Sequence, residues 1–147
     1  MPVREYDPDQ VIVYFNGRRL QGFADGEFIT VAQDSDGFGD VVGTDGEVSR
    51  SKSNDRRALA TVKLMQTSSS NDYLSTVHQE DLDAPNGAGV GTFLMQDLSG
   101  TTLVHDDAAW VKKFPDTSND RTPKPVEWAI RLPRPSRVVG GNVQVGG

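Results

Sequence analysis

Apolar residues recur at every second position through much of this chain. Val126, Trp128, Ile130 and Leu132 fall on one side of a predicted strand, with Glu127, Ala129 and Arg131 on the other. Residues 58–65 alternate in the same way, with Ala58, Ala60, Val62 and Leu64 opposed to Leu59, Thr61, Lys63 and Met65. Val11–Phe15 is a β-branched and aromatic run closed by Asn16-Gly17, a pair suited to a hairpin whose turn positions want positive φ. The return strand starts near Arg18 and ends at Gly22. Ala24-Asp25-Gly26 then turns the chain into a strand over Glu27–Ala32. Further strands are predicted at Val90–Asp97, Thr101–His105 and Ala108–Phe114, with Leu98-Ser99-Gly100 and Asp106-Asp107 as turns. Pro133 and Pro135 end the Val126–Leu132 strand, and Val138-Val139 adds an edge.

A helical pattern emerges once. Ser69 precedes Asp72 by three residues in the manner of a capping box, and Asn71 and Asp72 suit the positive end of the helix dipole. Leu74, Val77 and Asp81 share a side with Tyr73 beside them, a thin stripe that predicts packing on a sheet with the other side wet. The run Asp83-Ala84-Pro85-Asn86-Gly87 stops it. Between the third and fourth strands, Asp34–Asp55 is rich in Asp, Gly and Ser, with apolar islands at Phe38, Val41-Val42 and Val48. A connection of this length is functional or mobile. A protruding hairpin turning at Thr44-Asp45-Gly46 is predicted there. Asp116–Pro125 is a polar loop, and 140–147 is expected to be a loose, flexible tail.

The result is a mainly β single domain over 1–147 with one helix. Its length suffices for a core, since folding at this size removes about 70% of the unfolded surface. With 35% hydrophobic and 24% charged residues the chain is no disordered acidic segment, and 15 Gly with 8 Pro favour short strands and turns. The absence of cysteine excludes disulfides and thiolate metal sites. No signal-peptide pattern opens the chain, and no apolar run is long enough for a membrane helix. The net charge of −6 is uneven: residues 1–109 hold 18 acidic and 8 basic residues, and residues 110–147 hold 3 and 7. The basic end has too few aromatics and too dispersed a charge for a nucleic-acid surface. Complementarity between opposite ends of identical subunits explains the split more simply.

Candidate chemistry is sparse. Asp34-x-Asp36 with Asp40 and Asp45 resembles a calcium loop, but Phe38 and Asp45 stand at the fifth and twelfth positions and no flanking helices are predicted; a solvated turn is the plainer reading. His78 and His105 would need Glu80, Asp106 or Asp107 brought to them for zinc or nucleophile chemistry. Gly87–Gly91 has a helix before it and a strand after it, the reverse of a dinucleotide-binding loop. Trp110 and Trp128 read as core or subunit interface. No catalytic residue, cofactor site or metal site is assigned, and an enzyme is the third-ranked reading.

Three segments, Gly22-Phe23-Ala24-Asp25-Gly26-Glu27-Phe28-Ile29, Val42–Val48 (VGTDGEV) and Leu64–Leu74 (LMQTSSSNDYL), followed by Ser99-Gly100-Thr101-Thr102-Leu103, together resemble the tail tube proteins of contractile-tailed bacteriophages. The resemblance runs over roughly Val3–Asn142. It implies two packed antiparallel sheets, a sandwich or half-barrel, with one helix at the side. It implies hexameric rings stacked into a hollow tube, with inner sheets joined into a barrel around a channel that conducts DNA during ejection. The implied partners are further copies of the chain and the tail sheath, tape measure and baseplate proteins. DNA would pass without specific binding, no membrane is involved, and the chain would be made in the host bacterial cytoplasm and reside in the virion tail. Phe38, Val41, Val42 and Val48 are the expected apolar anchors of a contact between rings, with Asp45, Glu47 and Arg50 setting register. The alternatives are a monomeric β-sandwich binding a carbohydrate or peptide, and a minor phage tail or baseplate component.

Overall fold

The computed structural model describes residues 3–142, 144 and 145. In chain order it contains β1 (Val3–Arg4), a 3-10 turn (Pro8–Gln10), β2 (Val11–Phe15), β3 (Arg18–Arg19), β4 (Ile29–Gln33), β5 (Phe38–Val42) and β6 (Val48–Lys52). There follow β7 (Ala58–Leu64), helix α1 (Ser70–Asp83), β8 (Gly91–Asp97), β9 (Leu103–Lys113), β10 (Val126–Leu132), β11 (Ser136–Val138) and β12 (Gln144–Val145). All pairings are antiparallel.

The body is two antiparallel sheets sharing one strand. Along β3-β2-β8-β9-β10-β7-β4 each strand bonds the next, and β11 lies against β9. The first part of β9 pairs with β8, and Leu103–His105 also pairs with β11. Its last residues, Trp110–Lys113, pair with β10. The strand therefore leaves one layer and enters the other. The predicted turn at Asp106-Asp107 is corrected: these residues lie inside one 11-residue strand. Asp106 is buried and accepts from the Ala108 amide (2.9 Å) and the Arg134 amide (2.8 Å). The bond two residues ahead gives the chain a local irregularity, seen as a register shift against β8, rather than a reversal.

Alternation determines the core. Ala58, Ala60, Val62 and Leu64 of β7 are fully buried, as are Ile130 and Leu132 of β10. They meet Val13, Phe15, Phe93 and Val104 from the other layer in one apolar cluster. Each large side chain so buried contributes about 1.5–3 kcal/mol. The Asn16-Gly17 hairpin has positive φ at both residues, 53° and 86°. Helix α1 buries Leu74, Val77 and His78. Trp128 is core and donates to Asn71 Oδ1 (2.9 Å), tying helix to sheet.

Several boundaries differ from expectation. Ser69 is already helical, at φ −67° and ψ −17°, and its side chain caps nothing. Ser68 does this work, accepting from the Ser70 amide at 3.2 Å. The strand predicted at Glu27–Ala32 occupies Ile29–Gln33. The strand predicted from Thr101 starts at Leu103, because Thr101 is held in the turn by its amide bond to the Gly141 carbonyl (3.0 Å). That contact belongs to the segment expected as a loose tail. There, Gly140 and Asn142 bond Thr102 and Asp97, and Gln144–Val145 pairs with Val3–Arg4; residues 143, 146 and 147 lie outside the described residues.

Candidate functional site

The groups that could carry chemistry are occupied structurally or stand apart. His105 sits 3.2 Å from Asp107 on the exposed side of β9, and His78 is buried edge-on to Phe114, so the two histidines do not converge. Asp34, Asp36, Asp40 and Asp45 do not converge either. Asp34 pairs with arginine at the root of a hairpin, Asp40 lies opposite Arg50, and Asp45 shapes the tip. Among the described residues no cluster of three His, Cys, Asp or Glu side chains could hold a metal ion.

The feature that stands out is the β5–β6 hairpin. It is a two-stranded sheet separate from the body, and every residue of both strands is exposed. Its tip is a tight turn: the Gly43 amide bonds the Glu47 carbonyl (2.7 Å), and Asp45 Oδ1 accepts from the Glu47 amide (3.2 Å). Gly46, at φ 86°, supplies the left-handed position. Cross-strand partners share a face. The pairs Phe38↔Lys52, Asp40↔Arg50 and Val42↔Val48 therefore form one face, while Val41 and Ser49 lie on the other. The Arg50 guanidinium stacks over the Phe38 ring at 4.3 Å. Thus the seven residues expected to act together divide: Phe38, Val42, Val48 and Arg50 share a surface, Val41 faces away, and Asp45 and Glu47 shape the tip.

The root is tied to the body by charged groups. Arg131 of β10, only 11% exposed in its side chain, donates to Asp34 Oδ2 at 2.7 Å. Arg57 makes a two-pronged contact to Asp55 (2.9 and 3.1 Å), and the Ser35 hydroxyl donates to the same carboxylate (2.8 Å). Arg57's side-chain bond, then the Ser35 hydroxyl, holds the Asp55 carboxyl well below its usual range. Sequence reading missed this network because ion pairing between residues 97 apart leaves no local signal.

Two other surfaces bear on assembly. Among the described residues no strand pairs with the outer edge of β4. The Phe28 carbonyl and Asp34 amide point to β7, so the backbone groups of Ile29, Val31 and Gln33 point outward. Arg137 covers one of them, donating to the Val31 carbonyl at 3.2 Å. Near the start of β4 lies an open cavity of about 360 Å³ with Tyr6, Val11, Phe28, Ile29 and Met95 in its wall.

Two of the segments that carry the resemblance, 22–29 and 64–74, form one junction near the start of β4. The Met65 amide bonds the Gly22 carbonyl (2.8 Å), the Gln21 amide bonds Ser70 Oγ (2.9 Å), and Phe23 bridges to Leu64. Gly22 has φ 73°, and a Cβ there would meet Ser68 at 2.7 Å. The segments thus fit each other physically.

Comparison with known proteins gives two matches. Residues 15–140 match the family described as bacteriophage PhiTE tail tube protein. Structural protein ORF10 of Pseudomonas phage KPP10 is 31% identical over 146 residues, spanning 95% of this chain and 84% of that protein.

Proposed function

The chain belongs to the bacteriophage PhiTE tail tube protein family and is a structural component of the phage virion, and from that premise we propose that it assembles into closed, hexameric rings that stack into a DNA-conducting tube. The observation that carries the reading is the combination of a self-contained two-sheet body with a free β4 edge and a separate, wholly exposed hairpin. A free edge presents backbone donors and acceptors to a neighbouring strand, and closing a ring removes such edges. The hairpin supports contact between rings, because a two-stranded ribbon is marginal alone and gains order against a neighbour. Phe38, Val42 and Val48 would anchor that contact from one face and Val41 from the other, with Asp45, Glu47 and Arg50 setting register. The channel conducts DNA without binding it, no catalysis is involved, and the tube works within a contractile sheath beside tape measure and baseplate proteins after synthesis in the host cytoplasm. Negative-stain electron microscopy with size-exclusion chromatography tests the reading: rings or tubes are expected, and a protein that stays near 16.0 kDa at high concentration overturns it.

A further inference from the structure

We propose that the open cavity at the start of β4 is the seat into which a second copy inserts the Phe38 face of its β5–β6 hairpin. The inference rests on the reading of the hairpin as a contact between rings and names what the hairpin touches.

The hairpin needs an apolar partner that its own chain does not give it. Phe38 is 50% exposed, Val42 66% and Val48 61%, and all three lie on one face. An apolar cluster of this kind, on a ribbon without a second layer, marks an interaction surface. The cavity has the matching character. Tyr6, Val11, Phe28, Ile29 and Met95 give it an apolar side, beside the polar Glu27, Asp97, Thr102 and Asn142, and about 360 Å³ lies within the range of sites that take an organic group in a protein surface. An aromatic ring and an adjoining valine are of that scale.

The charges of the two surfaces are opposite in sign. On the hairpin, Arg50 and Lys52 stand on the same face as Phe38, and the single carboxylate there, Asp40, is opposite Arg50. At the cavity no Lys or Arg is among the lining residues, whereas Glu27 and Asp97 are. Asp97 is buried and satisfied by the Ser99 amide and hydroxyl and by Asn142, so Glu27 is the carboxylate left to meet an incoming cation. Glu5, Asp7 and Asp25 are the chain neighbours of Tyr6 and Gly26 in the wall and add to the negative field. Arg4 is engaged by the Asn142 carbonyl at 3.0 Å.

Placement determines the kind of assembly. The cavity adjoins Ile29 and the hairpin follows Gln33, so they lie at opposite ends of β4, about 13 Å apart at about 3.3 Å per residue. Donor and acceptor surfaces are then different parts of one chain. Repeated from one copy to the next, such a contact is heterologous: each copy that receives a hairpin still offers its own, and growth continues, whereas reciprocal exchange of hairpins would close a pair.

The chain has no cysteine, so introduced thiols react without background. Glu27→Cys and Arg50→Cys chains are mixed in equal amounts, allowed to assemble and treated with a short bismaleimide. A covalent dimer containing one chain of each kind is expected, with none from either variant alone. Assemblies that form without this mixed dimer overturn the seat. In parallel, a chain lacking residues 37–50 that still forms tubes of normal length overturns the hairpin reading itself. A mixture that remains monomeric and unlinked at high concentration overturns both.

Discussion

At the scale of single residues, the fold depends on a few places where geometry leaves no latitude. Gly22 is one, with positive φ and Ser68 packed where a side chain would begin. Replacing it with alanine adds both backbone strain and a collision, so Gly22→Ala is expected to destabilise by about 2 kcal/mol. In a domain of this size that lowers Tm by about 4–8 °C, measurable by calorimetry. The Asp34–Arg131 pair is another. Asp34→Ala would leave a largely buried guanidinium without its carboxylate, and a loss of about 2 kcal/mol in chemical denaturation is expected, less than the ~3–5 kcal/mol for a fully enclosed pair. Asp55 gives a pH signature. A carboxyl whose pKa is lower in the folded than in the unfolded chain adds stability that is complete above the ordinary value of 3.8 and lost as pH falls through the folded value. Carbon NMR of the Asp55 carboxyl should therefore show a titration midpoint clearly below 3.8, and Arg57→Gln should move it back up.

At the scale of elements, the hairpin is separable from the body. Removing residues 37–50 leaves Asp34, Ser35, Asp55 and Arg57 in place, together with the β4–β7 ladder. The shortened chain is expected to keep the far-ultraviolet circular dichroism of a β protein and a Tm within a few degrees of the parent, while failing to elongate into tubes. Helix α1 is not separable: Leu74 is fully buried, and Leu74→Ala is expected to cost about 3 kcal/mol. These elements differ in how plainly the sequence announces them. β7 and β10 are half-buried strands whose period-two pattern is local; Asn16-Gly17 specifies its turn through positive φ, and Asp45-Gly46 through the Asp45 carboxylate and the positive φ of Gly46, so all were legible. The continuity of β9 was not. Asp106-Asp107 has the composition of a turn, and the Arg134 amide, 28 residues away, joins the Ala108 amide in satisfying a buried carboxylate within a strand. The hairpin was legible as a hairpin, but its division into faces depends on the register Phe38↔Lys52, which a stretch of Asp, Gly and Ser leaves undefined. The cavity gathers residues from Tyr6 to Asn142 and has no sequence signature at all.

At the scale of the whole molecule, the acidic balance of −6 bears on the proposed passage of DNA. A surface that holds DNA through phosphates loses affinity steeply with salt, by about 0.9 log units per contact for each tenfold rise. Assembled tubes are expected to retain almost no duplex DNA in filter binding at any ionic strength; tight, salt-sensitive retention would instead make residues 110–147 a binding surface. A last property follows from β9 serving both sheets. Two layers held only by side-chain packing can slip past one another under load, but here the backbone itself crosses between them. Displacing one layer would stretch β9 and shear its ladders to β8 and β10 together. The subunit should therefore resist force as a single block and yield abruptly. Pulled in an optical trap, it is expected to rupture in one step, and the amides of Ala109–Val111 should be among the last to exchange with deuterium.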